Sequence, residues 1–427
     1  MQNGQDTLAL LVLLAGAVVL LVMEKQRRGN KRRDRQAAMV RLAEYEPAGF
    51  RRRFKMSRDR FEYIVEILRS KIEPTSAVGI ARAIASSGSI VPAELRLAAT
   101  LRILGGGSYL DAGDLYAIEP TSIMKTTVWP LLEALAASDD PQLDNILFPF
   151  DDERQLRRHE ATFAKDGGRH FPGTVAAGDG CALGIEQPSG REVGDNVKDH
   201  HTRKYEWAYG FLLFCDGQNR IMSVEATHVA SAHDAAMYDI SGVHRSIMDG
   251  KLPKWAHVLL DSAFACTEQE LVPWPPTKNG ITGDKDAFNW RLSAQRQAVE
   301  RTFGIMYMRW GILWRPLRVN FDRLRLLLLC LCRLHNYCMQ DRHVAAWTTL
   351  EALAHEEDHR WRRGDASGHM RLVLAQAQMP EQRQGRRTDT ESTRRTEITA
   401  VLHANKIVRP MMSAQAQTVA MLRDESV

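Results

Sequence analysis

The sequence predicts an α/β protein whose N-terminal part is helical and whose central part contains a mixed β-sheet. Three observations carry this prediction. Apolar residues recur at helical spacing between Ser57 and Ala137. Short apolar runs of strand length follow, two of them on either side of Asp216-Gly217, which is a hairpin signal. A long helical pattern with one apolar stripe then begins near Asp284.

Length and composition place loose bounds on the class of protein. The chain has 427 residues, a net charge of +5 and six cysteines without a CxxC pair. This length allows two or three domains. The charge permits a polyanionic partner without requiring one. The cysteine spacing favours reduced, buried thiols of an intracellular protein over a zinc site. We divide the chain into a leader (residues 1–36), a helical domain (50–150), an α/β domain (171–342) and a variable, partly disordered tail (343–427).

The leader begins with an apolar run, Leu8 to Met23, followed at once by the basic stretch Lys25 to Arg35. The run is slightly shorter than the roughly 17–25 apolar residues that comfortably span a bilayer. If it is a membrane anchor, the positive charges place the rest of the chain on the cytosolic side. The alternatives are a packing helix or a misassigned start exon. The basic stretch fits nuclear import, phosphate contact or plain solvation.

The helical domain contains a pattern that resembles a helix-turn-helix. Ser57 is a plausible N-cap for the helix that carries Phe61, Ile64 and Leu68. Further on, a short helix is followed by a second one starting near Pro120–Thr121, which Pro130 should kink or end. The second helix offers hydroxyls and one cation for DNA contact; these residues are Thr121, Ser122, Thr126 and Lys125. A DNA reader and a plain packing domain both fit this pattern.

The sequence pattern of the α/β domain predicts on which elements three acidic residues lie. Asp179 lies in the strand GTVAAGDGCALGI, and Asp261 lies at the end of the buried strand WAHVLLDSAF. Glu300 lies at the margin of the apolar stripe of the long helix. Strand, hairpin, helix, strand and helix follow one another as in a ribonuclease-H-like fold. We therefore expect Asp179 and Asp261 on neighbouring strands and Glu300 on a helix packed against the sheet.

Three carboxylates brought together in this way suit divalent metal ions. Mg²⁺ prefers hard oxygen ligands, so Asp179, Asp261 and Glu300 are candidate ligands of Mg²⁺ or Mn²⁺. Two such ions stabilise the attacking and leaving oxygens of a phosphodiester displacement. Without metal, repulsion between the carboxylates should raise the pKa of at least one of them.

Six sequence pieces in this domain carry a resemblance to a known family. They are GDG at Gly178–Gly180, SAHD at Ser231–Asp234, LLDSAF at Leu259–Phe264, FNWRLSAQRQAVERTFG at Phe288–Gly304, RWGILWRPLRV at Arg309–Val319 and LHNYC at Leu334–Cys338. In this order they resemble the DDE endonuclease domain of PIF/Harbinger transposases and Harbinger-derived nucleases. The resemblance implies a DNA substrate, Asp179, Asp261 and Glu300 as catalytic acids, a nuclear location and a separate Myb-like DNA-binding partner. One departure is Cys181-Ala182, where the family often has Thr-His.

Other charged residues are candidates for supporting roles. Asp234 fits a helix-start carboxylate or a residue that supports the metal site. Arg296 lies one helical turn before Glu300 and fits either an ion pair with it or a phosphate contact. Four further arginines are candidate DNA contacts because they follow or flank the catalytic helix; they are Arg301, Arg309, Arg315 and Arg318.

The sequence leaves two other functions open. A domesticated protein can keep the fold as a binding scaffold without catalysis. A membrane-tethered protein with a vestigial nuclease domain is the other possibility. Homo-oligomer formation is also left open.

Overall fold

The computed structural model describes residues 34–87, 89–164, 171–201, 207–226, 234–276, 281, 283–340 and 392–405. It divides the chain into two compact units, Met1–Ser138 and Asp139–Val427. None of the helices in the described ranges has the length and apolar character of a bilayer-spanning segment. The apolar run from Leu8 to Met23 and most of the basic stretch lie outside the described residues.

In its described part, the first unit is built from helices joined by short turns. They are α1 (Arg35–Glu44), α2 (Pro47–Phe54), α3 (Arg58–Ile72), α4 (Ala77–Ser87), α5 (Ala93–Leu104), α6 (Tyr109–Leu115), a π-helical turn (Met124–Val128) and α7 (Trp129–Ala136). Ser57 occupies the N-cap position of α3, as predicted, but its side chain makes no capping hydrogen bond. Aromatic rings hold α2 on α3, with the ring centroids of Phe54 and Phe61 5.4 Å apart.

Pro130 shapes the second of the two helices in the predicted helix-turn-helix. It lies in the first turn of α7, and the preceding turn is π-helical instead of α-helical. In an α-helix the amide of residue 130 would donate to the carbonyl of Thr126, but proline has no amide hydrogen. Arg96 donates to the Thr126 carbonyl instead, at 2.5 Å. The helix does not end at Pro130 but continues to Ala136, with a π-helical turn before the proline. A DNA-binding role of this unit stays a prediction.

The second unit contains a five-stranded mixed sheet. Its elements are α8 (Glu153–Phe163), β1 (Thr174–Gly184), α9 (Gly190–Val193), a 3-10 helix (Gly194–His200), β2 (Ala208–Cys215), β3 (Ile221–Ala226), α10 (Asp234–Asp239), α11 (Gly242–Met248), β4 (His257–Leu259), β5 (Glu270–Leu271), α12 (Gly283–Arg309), a 3-10 helix (Gly311–Trp314), α13 (Phe321–Met339) and α14 (Thr393–Ala404). The strand order is β3-β2-β1-β4-β5. β1 pairs antiparallel with β2 and parallel with β4.

Helices cover both faces of this sheet. Leu212 packs into a core cluster that includes Leu156 of α8 and Tyr238 of α10. The neighbouring Phe211 contacts Phe303 of α12, with ring centroids 5.9 Å apart. Successive strand residues point to opposite faces. The long helix α12 therefore lies across the sheet from α8 and packs against β1, β2 and β4.

The described part of the tail contains a helix. The tail from residue 343 to 427 is predicted to be partly disordered, and within it Thr393–Ala404 forms α14. Ile398 and Leu402 are buried, and the guanidinium of Arg395 lies 3.6 Å from the ring centroid of Trp274. The partners of this helix, such as Trp274, lie more than 100 residues earlier in the sequence, so the local sequence does not show them.

Candidate active site

Asp179 lies in the middle of β1, on the stretch of that strand that β4 does not cover. β4 pairs with β1 only as far as Ala177. The side chain of Asp179 is 21% exposed. Its Oδ1 accepts a hydrogen bond from the backbone amide of Gly180 at 2.9 Å. This bond holds one carboxylate oxygen and leaves Oδ2 directed at another element.

Asp261 reaches the same region from the neighbouring strand. Ala177 pairs with Leu259, so Asp179 and Asp261 each lie two residues beyond the same parallel pair. Neighbouring strands are about 4.8 Å apart, which brings the two backbones close at this level. Oδ1 of Asp261 accepts a hydrogen bond from the amide of Ala263 at 2.8 Å. The prediction that the two aspartates lie on neighbouring strands is confirmed, with Asp261 just past the end of β4.

Glu300 lies on α12, and Arg296 one turn earlier on the same helix joins it to Asp179. Nη1 of Arg296 donates to Oδ2 of Asp179 at 2.8 Å, and Nη2 donates to Oε1 of Glu300 at 2.6 Å. The Arg296 side chain is 18% exposed and that of Glu300 is 29% exposed. Both ion pairs are thus largely shielded from solvent. The expected pairing of Arg296 with Glu300 is present, and the contact with Asp179 is an addition.

The charges at this site shift two pKa values. Burial raises the pKa of Glu300 above its ordinary value of 4.5; the Arg296 guanidinium opposes this increase and the negative charge of Asp179 adds to it. Burial lowers the pKa of Arg296, but the charges of Asp179, Glu300 and Asp261 outweigh burial and raise that pKa. The expected raised carboxyl pKa is therefore found at Glu300, although burial contributes more to it than repulsion.

The donor set fits a divalent ion in its chemistry. Three carboxylates offer the hard oxygens that Mg²⁺ and Mn²⁺ prefer. Within the described ranges, however, no group of three or more acidic, histidine or cysteine side chains has the geometry of a metal site. The reason is visible at Asp179 and Glu300, because the Arg296 guanidinium lies between them. These two acids can share an ion only after Arg296 has moved.

Asp234 lies on a helix and not on one of the strands that carry the two aspartates. It is the first residue of α10, as predicted for a helix-start carboxylate. Its side chain lies outside the described residues. A supporting role at the metal site stays a prediction.

The arginines predicted to contact DNA fall into two groups. Arg309 is buried, and its Nη1 donates to the carbonyl of His335 at 2.9 Å. Burial also lowers the pKa of Arg309 to about 10. The prediction that Arg309 contacts DNA is therefore wrong, because its guanidinium is used inside the core. Arg301, Arg315 and Arg318 are exposed.

The exposed arginines occupy two places in the second unit. Nε of Arg301 donates to Oδ1 of Asn219 in the β2–β3 turn at 3.4 Å. Arg315 and Arg318 line an open groove of about 800 Å³ together with Trp207 and Glu186, where Glu186 pairs with Arg318. In the first unit, Lys125 is exposed in the π-helical turn. All four stay candidate DNA contacts.

The sequence did not single out the contact between His159 and Asp216. Nδ1 of His159 lies 3.2 Å from Oδ2 of Asp216. Asp216-Gly217 was recognised only as a turn, and His159 lies 57 residues earlier on α8. The available signal in the sequence was the position of Asp216, directly after an apolar strand. A carboxylate buried there needs a hydrogen-bonding partner.

The fold and the acids define a class before any comparison is made: a mixed sheet whose adjacent strands carry aspartates, with a glutamate on a covering helix. Residues 178–336 match the family model of DDE superfamily endonucleases. This match covers less than half of the chain and includes all three acids. It supports a DDE transposase-type family, a ribonuclease-H-like fold for this domain and a nuclease-type function that normally uses divalent metal. No curated protein matches the chain, and no solved structure does.

Proposed function

We propose that the second unit is a metal-dependent endonuclease of the PIF/Harbinger type that cleaves DNA phosphodiester bonds. The observation that carries the proposal is the pairing of Asp179 and Glu300 with one guanidinium, that of Arg296, whose pKa the charge of Asp261 also raises. The six sequence pieces that resemble Harbinger nucleases agree with it. Structural ion pairs need two partners, whereas here three acids from a strand, a strand end and a helix act on a single cation.

Each acid has a distinct place in the proposed reaction. Asp179 and Asp261 hold the ions, and Glu300 completes the set. Two divalent ions, when bound, lower the pKa of a water and stabilise the departing 3′ oxygen. The backbone amides of Gly180 and Ala263 fix one oxygen of each aspartate, which limits the movement of these ligands. Glu300 must lose any proton before it binds metal, because a metal ligand is deprotonated.

Arg296 keeps the acids together when metal is absent. Its two ion pairs neutralise charge that would otherwise repel, and they hold Asp179 and Glu300 at fixed positions. When the guanidinium leaves these oxygens, it stays within reach of a bound phosphate because it lies one helical turn from Glu300. Arg301, Arg315 and Arg318 are then the exposed cations that hold the DNA backbone.

The test is nicking of supercoiled plasmid in the presence of Mn²⁺. Asp179→Asn and Glu300→Gln should each abolish nicking, and Asp195→Asn serves as the matched control because Asp195 is an exposed carboxylate of the 3-10 helix after β1. Unchanged activity in the Asp179 and Glu300 variants would contradict the assignment.

A second function is a DNA- or protein-binding scaffold that has lost catalysis. The specific observation in its favour is the Arg296 bridge, because two of the three acids are already neutralised by a side chain. On this alternative, DNA binding persists, metal does not change the melting temperature and no nicking occurs. A titration with metal therefore distinguishes the two functions: the nuclease shows a higher melting temperature and nicking, and the scaffold shows neither.

Location and partners belong to the same proposal. A nuclear location follows from a DNA substrate, and a Myb-like partner would supply sequence recognition that Lys125, the one cation of the predicted reading face, does not provide. Co-purification of a homo-oligomer or of such a partner with the full chain tests both. Membrane anchoring through residues 8–23 is the alternative, with the nuclease domain cytosolic, and cell fractionation separates it from a nuclear location.

A further inference from the structure

A small basic cavity lies between α8 and the β2–β3 turn, away from the three acids. Its volume is about 320 Å³, and Arg158, His159, Thr162, Asp216 and Arg220 are among the residues that line it. A water molecule takes up about 30 Å³ in the liquid, so the cavity has room for a group several times the size of a water molecule, such as a phosphate. We propose that this cavity binds a backbone phosphate of DNA, outside the cleavage site.

The wall of the cavity is rigid. Asp216 is buried, and its Oδ1 accepts hydrogen bonds from the amides of Gln218 and Arg220, both at 2.9 Å. The amide of Gly217 donates to Oγ1 of Thr162 at 2.8 Å. A Cβ atom at Gly217 would lie 2.7 Å from the carbonyl of Thr162, so only glycine allows the turn to lie this close to α8. These contacts therefore fix the position of the turn against α8, which forms one wall of the cavity.

His159 is held in one orientation by Asp216. The ring is 15% exposed, and Nδ1 lies 3.2 Å from Oδ2 of Asp216. A carboxylate only accepts, so Nδ1 carries the hydrogen and donates. Asp216 then has two backbone amides and one imidazole as donors, which stabilise its negative charge. The two arginines that line the cavity, Arg158 and Arg220, outnumber this single carboxylate.

Arg158 and Arg220 supply the positive charge. Among the described residues their guanidinium groups have no hydrogen bond or ion pair within contact distance; the charge of Arg158 acts only at longer range on Asp152, whose pKa is lowered first by hydrogen bonds and further by this charge. Arg157 on the same helix pairs with Glu160 at 3.0 Å. A structural role for the His159–Asp216 pair, pinning the turn to α8, accounts for these two residues. It does not account for two unpaired guanidinium groups at the same cavity.

The position of the cavity points to DNA instead of a small phosphate compound. The same turn continues to Asn219, whose side chain accepts from Arg301, the residue after Glu300. Asp216 follows Cys215, which pairs with Ala177, two residues from Asp179 on β1. At about 3.3 Å per residue, the turn lies on the order of 10 Å from the acid site along the sheet. Arg301 and the cavity thus adjoin the same β2–β3 turn, so a DNA strand that is held by Arg301 near the acids passes this turn where the cavity lies.

The inference rests on DNA being the substrate, and the experiment separates the two claims. Binding of the full chain to a fluorescent DNA duplex is measured by anisotropy in EDTA, at several KCl concentrations. Arg158→Ala and Arg220→Ala should each reduce the slope of log affinity against log salt by about 1, because each removes one phosphate contact. Arg154→Ala is the matched control, since Arg154 is an exposed arginine of α8 that does not line the cavity.

The outcomes are distinguishable. Loss of slope in the two cavity variants, with the control unchanged, supports the site. DNA binding by the native chain with identical slopes in all three variants overturns it and leaves the nuclease proposal intact. A rise in melting temperature with inorganic phosphate that Arg158→Ala removes, without any effect on DNA, also overturns it in favour of a small phosphate ligand. No DNA binding by the native chain contradicts the proposed function itself.

Discussion

Replacing Arg296 by glutamine should lower the free energy of unfolding of the metal-free protein and increase its affinity for Mg²⁺. The guanidinium makes two charge-assisted contacts, at 2.8 Å to Asp179 and 2.6 Å to Glu300. All three side chains are less than one third exposed, so solvent screens these contacts only in part. A hydrogen bond to a charged group contributes about 1.5–3 kcal/mol, and removing one partner of a buried ion pair costs about 3–5 kcal/mol. We expect a loss of about 3 kcal/mol in the free energy of unfolding, at the lower end of this range.

The loss should be visible as a lower melting temperature in EDTA. For a domain of this size, 1 kcal/mol corresponds to roughly 2–4 °C, so the transition of the second unit should fall by roughly 6–12 °C. The affinity for Mg²⁺ should change in the opposite direction. Binding no longer has to break the Arg296 contacts, and since 1.4 kcal/mol is a factor of ten, the Kd should fall by about tenfold to a hundredfold.

The assay combines thermal melting in EDTA with calorimetric titration of Mg²⁺. Arg301→Gln is the matched control, because it removes the same charge one residue from Glu300 without breaking a carboxylate contact. A Kd in Arg296→Gln that equals the native value, or exceeds it, would refute the reasoning. Arg296 would then remain in place while metal binds, or metal would bind elsewhere.

Three further predictions concern the acids and the core. Asp261→Asn should remove the rise in melting temperature that Mg²⁺ produces, because a ligand bound only by the folded state stabilises it; an equal rise in the variant would place the metal elsewhere. Burial lowers the pKa of His257 and of His335 from 6.5 to about 3. The unfolded chain therefore binds more protons below pH 6.5, and stability is lost as pH falls from 6.5 towards 3, by about 1.4 kcal/mol per pH unit for each histidine. Urea unfolding at several pH values in this range should show that His335→Gln loses about half as much stability per pH unit as the native protein. An unchanged slope would contradict the conclusion that His335 is buried in its neutral form. Arg309→Met should lower the melting temperature through the lost bond to the His335 carbonyl and leave DNA affinity per folded molecule unchanged; weaker DNA binding by the folded variant would restore Arg309 as a contact.

The sequence was sufficient for the placement of the acids because each lies on an element with a clear period. The alternating and apolar runs of β1 and β4 and the stripe of α12 fix which side of each element is buried. The order of the elements then restricts the sheet to a few topologies. The contact between Arg296 and Glu300 was also accessible, since residues four apart on a helix are neighbours.

Contacts between elements that are far apart in the sequence could not be predicted from these patterns. Arg296 reaches Asp179 across 117 residues, and no local pattern encodes that distance. Arg309 was misjudged for a related reason. It stands in an arginine-rich stretch, which suggests an exposed basic surface, but the carbonyl of His335 on α13 offers it a partner inside the core. A charged residue can be buried when distant parts of the chain provide hydrogen-bond partners for it, and the local sequence does not show which partners these are.

The Arg296 bridge also predicts how metal occupancy depends on concentration. The first ion has to displace the guanidinium, at a cost of about 3 kcal/mol, whereas a second ion enters a site already opened. One ion at a hundred times its intrinsic Kd contributes about 2.7 kcal/mol, so a single ion does not offset the bridge and two ions do. We therefore expect a sigmoidal Mg²⁺ binding isotherm in the native protein and a hyperbolic one in Arg296→Gln, because the population of the open site limits the first binding step. Calorimetric titration with Mg²⁺ compares the two isotherms directly. Hyperbolic curves of equal midpoint in both proteins would mean that the bridge is not coupled to metal, and the scaffold function would then account better for a site whose acids are held by an arginine.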